Sequence, residues 1–168
     1  MALALSLPAW ADEATLLIVD LNRNNHFDYV SAWDSKPGVI FNIDGTGLMQ
    51  RTGWVAKGDG FLALDRNGNG VIDSGAELIT SLAGLMRYDD NHDGVIDARD
   101  EIFAKLLIWQ DLNQNGISEA RELQTLKAWD ITMITHSAAL TDWLRFKLGV
   151  VRVSTRRAMI AAQSLTTP

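Results

Sequence analysis

Three runs of the chain carry oxygen-bearing side chains at alternate positions and a glycine at the sixth. They read Asp65-Arg-Asn67-Gly-Asn69-Gly70-Val71-Ile72-Asp73, Asp89-Asp-Asn91-His-Asp93-Gly94-Val95-Ile96-Asp97 and Asp111-Leu-Asn113-Gln-Asn115-Gly116-Ile117-Ser118-Glu119. A hard cation such as Ca²⁺ needs this chemistry. Oxygens converge on it from positions one, three and five, a backbone carbonyl joins from position seven, and the glycine permits the sharp turn between them. Asn, Asp and Gly also cluster in ordinary turns, but three copies in step point to repeated cation loops.

The three loops differ in how they close. The third is the complete twelve-position pattern, with side-chain oxygens from Asp111, Asn113 and Asn115, the carbonyl of Ile117, Glu119 at position nine and Glu122 at position twelve. The second offers Asp89, Asn91, Asp93, the Val95 carbonyl, Asp97 and Asp100; the shorter Asp100 reaches less readily than Glu, and Glu101 follows it. The first has Ala76 at position twelve, which cannot coordinate through its side chain, and Glu77 at position thirteen. Its expected set is Asp65, Asn67, Asn69, the Val71 carbonyl, Asp73 and Glu77, with Ser74-Gly75 giving backbone freedom. Asn replaces Asp at several ligand positions, so affinity is expected nearer ~10⁻⁴ to 10⁻³ M than that of cytosolic sensors.

Two weaker copies precede them. Asp20-Leu-Asn22-Arg-Asn24-Asn25-His26-Phe27-Asp28 has Asn25 where glycine is wanted, and Asn42-Ile-Asp44-Gly-Thr46-Gly47 has one charged ligand. The starts at Asp20, Asn42, Asp65, Asp89 and Asp111 lie 22, 23, 24 and 22 residues apart, the mark of a repeated unit of one loop plus one connector.

The connectors must position the loops. Leu16 to Val19, Val39 to Phe41, Phe61 to Leu64 and Ile131 to Thr135 read as short strands, as do Leu144 to Leu148 and Val151 to Val153. The spacing of Leu78, Leu82 and Leu85 predicts a helix over 76–88. Further helices are expected over 98–107, 118–128 and 155–165. The whole is expected to be a single α+β domain: cation loops joined by short helices, with small β-strands. Residues 1–14 read as a leader or signal-peptide remnant, 15–135 as the repeat module and 136–168 as a basic tail.

Composition narrows the classes. The 168 residues are 47% hydrophobic and carry a net charge of −6, with a pI near 4.9. An acidic chain without a basic stripe does not fit a nucleic-acid partner. Cysteine is absent, which excludes disulfides and thiolate metal sites. No stretch approaches the ~20 apolar residues of a membrane span. His26, His92 and His136 are scattered, and no Ser/His/Asp constellation or phosphate loop stands apart from the cation loops.

Two runs carry a family resemblance: Arg51-Thr-Gly-Trp54-Val55 through Gly58-Asp-Gly60-Phe61-Leu-Ala-Leu-Asp65 to Leu78, and Ile108-Trp-Gln-Asp-Leu-Asn-Gln-Asn-Gly-Ile-Ser-Glu-Ala-Arg-Glu-Leu123. They resemble the calcium-binding module of large secreted RTX-type proteins, including the self-processing module of iron-regulated RTX proteins. The resemblance implies EF-hand-like loops, Ca²⁺ as cofactor, folding on calcium outside the cell and a secreted location, with the periplasm as the alternative. Some such modules cut an Asp-Pro bond at their N-terminal edge. Here the prolines follow Leu7, Lys36 and Thr167, and Ala14, Thr15 and Leu16 stand where that proline would fall. The reading therefore leans against an enzyme and leaves the question open. A dockerin-like interaction module is the other alternative, with Ser74, Gly75, Ala98 and Arg99 meeting a protein partner.

Overall fold

The computed structural model of the chain describes residues 15–24, 27–30, 38–137, 140–146 and 149–157. The strands, in chain order, are β1 (Thr15–Val19), β2 (Tyr29–Val30), β3 (Val39–Phe41), β4 (Gln50–Thr52), β5 (Trp54–Val55), β6 (Gly60–Leu64), β7 (Val95–Asp97), β8 (Leu106–Trp109), β9 (Leu123–Thr125), β10 (Ile131–Ser137), β11 (Leu140–Phe146) and β12 (Gly149–Arg157). Eight of them form one sheet in the order β7-β10-β11-β12-β1-β6-β8-β9, while β2 pairs with β5 and β3 with β4. Every pairing is antiparallel.

The sheet's central strands are continuous apolar runs because both of their faces are covered. Along β1, Leu17 and Val19 enter one core while Leu16 and Ile18 enter the other. In β6, Leu62 and Leu64 oppose Phe61 and Ala63 in the same way. The first core takes in Leu82, Leu85, Ile96, Ile102, Leu106, Ile108, Leu126 and Ile134. The second is aromatic: Phe41, Trp54, Phe61 and Trp109 stand with ring centroids 4.8–5.8 Å apart.

This architecture corrects the α+β expectation of loops joined by helices. Among the described residues the one α-helix is α1 (Leu82–Leu85), with 3-10 turns at Gly75–Glu77, Met86–Tyr88, Glu101–Ala104 and Leu126–Trp129. The helix expected over 76–88 breaks because its apolar residues serve different faces. Leu78 bridges to Ala63 and joins the aromatic core, whereas Leu82 and Leu85 join the other. Ile79 sits between strands, its N–H donating to Leu62 and its carbonyl accepting from Leu17. The helix expected over 98–107 yields to β8, whose Leu-Leu-Ile-Trp run suits a buried strand as well as a helix. That over 118–128 yields to β9 and a 3-10 turn capped by Thr125, whose Oγ accepts from the Ala128 N–H. The helix expected over 155–165 meets β12, which runs to Arg157; the rest of it lies outside the described residues, as do the leader 1–14 and the Asn25 position. Of the strands expected in the last quarter, Ile131 to Thr135 lies within β10, Val151 to Val153 within β12, and Leu144 to Leu148 within β11 as far as Phe146, its last two residues lying outside the described ones; β1 pairs along its whole length with residues 153–157 of β12.

Candidate cation loops

Three loops share one hydrogen-bonded frame, and two more repeat parts of it. In the three strong loops the N–H of position six donates to the first carboxylate: Gly70 to Asp65 at 2.8 Å, Gly94 to Asp89 at 2.7 Å and Gly116 to Asp111 at 2.8 Å. The N–H of position five donates to the side-chain oxygen of position three, as Asn69 to Asn67 at 2.9 Å, Asp93 to Asn91 at 3.0 Å and Asn115 to Asn113 at 3.1 Å. Position seven donates to position five, at 2.9 Å from Val71, 3.0 Å from Val95 and 2.7 Å from Ile117. The side-chain oxygens of positions one, three and five thereby accept from the loop's own N–H groups. The Asp20 and Asn42 loops repeat parts of the frame: Asn24 donates to Asn22 at 3.0 Å, and Gly47 donates to Asn42 at 3.0 Å.

The frame requires left-handed backbone at two positions. Position six is Gly47, Gly70, Gly94 or Gly116, with φ from 72° to 88°. Position four is left-handed too, and three of its residues are not glycine: Arg23 at 60°, His92 at 58° and Gln114 at 58°. Sequence reading found the first requirement and missed the second, although glycine stands at position four in two of the loops, as Gly45 and Gly68. The sixth position of the third loop is also packed. A Cβ on Gly116 would collide with Val39 Cγ1 and press on the Ile40 carbonyl oxygen at 3.2 Å, whereas a Cβ on Gly94 would meet nothing within 4 Å. Gly116→Ala is therefore expected to cost more than Gly94→Ala, which bears only the roughly 1–2 kcal/mol of left-handed strain. Chemical denaturation of the two variants measures the difference.

A buried carboxylate closes each strong loop; Glu77 and Asp100 clasp the N–H groups of positions two and nine, and Glu122 that of position two alone. Glu77 Oε1 accepts from Arg66 at 3.2 Å and its Oε2 from Asp73 at 2.9 Å. Asp100 accepts from Asp90 and from Asp97, both at 2.8 Å. Glu122 Oε1 accepts from Leu112 at 3.0 Å. All three are buried. Glu101, the alternative closer of the second loop, is exposed and pairs with Lys105 instead. Arg99 is held by Asp93 and Asp97, and its guanidinium keeps the Asp97 carboxyl below the usual carboxylate range.

The third loop is tied to the aromatic core. Trp54 Nε1 donates to Asp111 Oδ2 at 2.7 Å inside the protein. The first and third loops meet at their eighth positions, where the Ile72 N–H donates to Ser118 Oγ at 2.7 Å and that hydroxyl donates to the Ile72 carbonyl at 3.1 Å. Glu119 and Glu122 each keep a buried Oε2 without a hydrogen-bond partner. The two carboxyls compete. The facing Glu122 carboxyl, helped by the Asn113 and Asn115 amides, holds Glu119 below the usual carboxylate range, while burial and the facing Glu119 and Asp111 charges raise Glu122. One proton or one cation settles such a pair.

The residue that sequence reading missed is Asp59. It lies between Gly58 and Gly60 and is wholly buried. Its Oδ2 accepts from the Asp28 N–H at 2.9 Å, and its Oδ1 is buried without a partner. Burial pushes its carboxyl up to about 6, the Asp28 N–H opposes this, and the Asp20 and Asp28 charges add to it. A carboxyl raised in the folded state from 3.8 stabilises below pH 4, and that contribution is lost as pH rises through about 6. In chelator the fold is thus expected to lose on the order of 2 kcal/mol from this group between pH 4 and 7. Asp59→Asn should flatten that part of the pH profile of urea unfolding.

The candidate ligands Asp65, Asn67, Asn69, Val71 and Asp73, with Glu77, are gathered around one loop, as are Asp89 to Asp100 and Asp111 to Glu122. Among the described residues no three His, Cys, Asp or Glu side chains converge as a metal cluster. Of the residues considered for partner contact, Ala98 and Arg99 are exposed, whereas Gly75 is buried against the Ile43 carbonyl. Among the described residues no helix is long and apolar enough to cross a membrane.

Comparison with known proteins places this geometry in a family. The chain is 46% identical over 103 residues to the iron-regulated protein FrpA of Neisseria meningitidis serogroup C, a stretch that covers 54% of this chain and 9% of that protein. The chain thus corresponds to a small part of the curated relative it matches. The SPM domain profile matches residues 17–155, from β1 through most of β12, and on that match the chain belongs to the SPM domain family.

Proposed function

We propose that this SPM domain is a calcium-binding module of a secreted RTX-type protein, and that Ca²⁺ at the loops 65–77, 89–100 and 111–122 completes and stabilises its fold. The observation that carries this reading is the loop frame repeated three times around oxygen donors, each closed by a buried carboxylate, with Glu119 Oε2 and Glu122 Oε2 left without donors. The donors fit the ion: all are oxygens, and the available carboxylates are hard ligands. Without a cation the facing carboxylates repel or hold a proton, and with one they are neutralised, so binding favours the folded state. The smaller Mg²⁺ demands stricter octahedral geometry and gives up water reluctantly, which a loop offering six or more protein oxygens does not suit.

Isothermal titration calorimetry tests the reading. Calcium is expected to bind with dissociation constants of about 10⁻⁴ to 10⁻³ M, and Glu122→Gln to remove one binding event. An absence of binding heat up to about 10 mM calcium, at two temperatures, would sink it.

A further inference from the structure

We propose a fourth cation site, in the loop from Asp20 to Asp28, closed by Asp59 rather than by a residue of the loop itself. It rests on the reading of the three strong loops as calcium sites. The described part of the Asp20 loop repeats the frame. The Asn24 N–H donates to Asp20 at 3.3 Å and to Asn22 at 3.0 Å, and Arg23 at position four is left-handed. The Asn24 amide nitrogen reaches Asp28 Oδ2 at 3.2 Å, as Asn69 reaches Asp73 at 2.9 Å and Asn115 reaches Glu119 at 3.1 Å.

What the sequence of this loop lacks is a closing acid, since its twelfth position is Ser31. Asp59 takes that place from a neighbouring turn. Its Oδ2 accepts from the N–H of Asp28, position nine, as Glu77 accepts from Asp73 and Asp100 from Asp97. The backbone locks the two segments together: Asn22 donates to the Gly58 carbonyl at 3.1 Å, and Ala56 donates to the Asp28 carbonyl at 2.9 Å. Asp59 is wholly buried, the Leu21 N–H lies near its carboxyl, its Oδ1 makes no well-formed hydrogen bond among the described residues, and the charges it faces are those of Asp20 and Asp28. A buried carboxylate with an orphaned oxygen beside two further acids favours a cation among them. The donors Asp20, Asn22, Asn24, Asp28 and Asp59 are all oxygens, the set a hard divalent cation takes, with calcium as the best match.

The test counts bound calcium per chain by equilibrium dialysis and elemental analysis, at the lowest concentration that saturates the wild-type protein. Four ions are expected in the wild type and three in Asp59→Asn. Because Asp59 is buried, Asn24→Ala provides a second variant at an exposed position, and it too should lose one ion. Circular dichroism shows which variants are folded. A folded variant that binds as many ions as the wild type overturns the fourth site, as does a wild-type count of three that falls only in Glu122→Gln, which leaves the three-loop reading standing. A wild type that binds no calcium overturns both.

Discussion

Asp111→Ala is expected to lower stability by about 3–5 kcal/mol in chelator and to abolish cation binding at the third loop. Asp111 is fully buried and holds three donors: Asn115 N–H on Oδ1 at 3.2 Å, and Gly116 N–H at 2.8 Å and Trp54 Nε1 at 2.7 Å on Oδ2. Stranding a buried donor costs roughly 1–3 kcal/mol. Two of the three belong to the loop and the third to the aromatic core, so the loss loosens both at once. Asp111→Asn keeps one acceptor oxygen and is expected to cost about half as much. Urea unfolding with and without calcium measures both variants. A cost below about 1 kcal/mol for Asp111→Ala would show that the loop does not depend on this anchor.

Trp109→Ala is expected to be as damaging by another route. Trp109 is wholly buried at the end of β8, in ring contact with Phe41, Trp54 and Phe61. Removing a buried tryptophan side chain costs about 3–5 kcal/mol through lost transfer energy and the cavity left behind. Against a total of roughly 5–15 kcal/mol for a domain of this kind, that is enough to leave the ion-free chain largely unfolded. Its Nε1 has no hydrogen-bond partner, so Trp109→Phe loses volume but no bond and should cost distinctly less. Equal losses for the two variants would contradict a packing origin.

The loops were the legible part of the sequence, because oxygen types and a left-handed glycine leave a fixed spacing. Asp65, Asp89 and Asp111 each sit at the head of a formed loop, and the thirteenth-position Glu77 clasps its loop as Asp100 does. The connectors were not legible. Leu78, Leu82 and Leu85 repeat at helical spacing, yet Leu78 belongs to one core and Leu82 and Leu85 to the other. Four apolar residues from Leu106 to Trp109 suit a helix or a two-sided strand equally, and pairing with β6 decides for the strand. Sequence spacing could not reveal that Ile72 and Ser118 join two loops 46 residues apart. Nor could it reveal Asp59, whose place beside the Asp20 loop is set by β2 pairing with β5. A lone acid between two glycines, just ahead of an apolar strand, was the available signal.

The most direct test of calcium-dependent folding is calorimetric melting of the intact chain in chelator and in about 10 mM calcium, with magnesium as control. With dissociation constants near 10⁻⁴ M, each occupied loop adds about 2.7 kcal/mol at that concentration. For a domain of this size, each kcal/mol raises the melting temperature by roughly 2–4 °C. Three loops therefore predict a rise of more than about 10 °C in calcium and a much smaller one in magnesium. A melting temperature that moves by less than about 1 °C between chelator and calcium would contradict it.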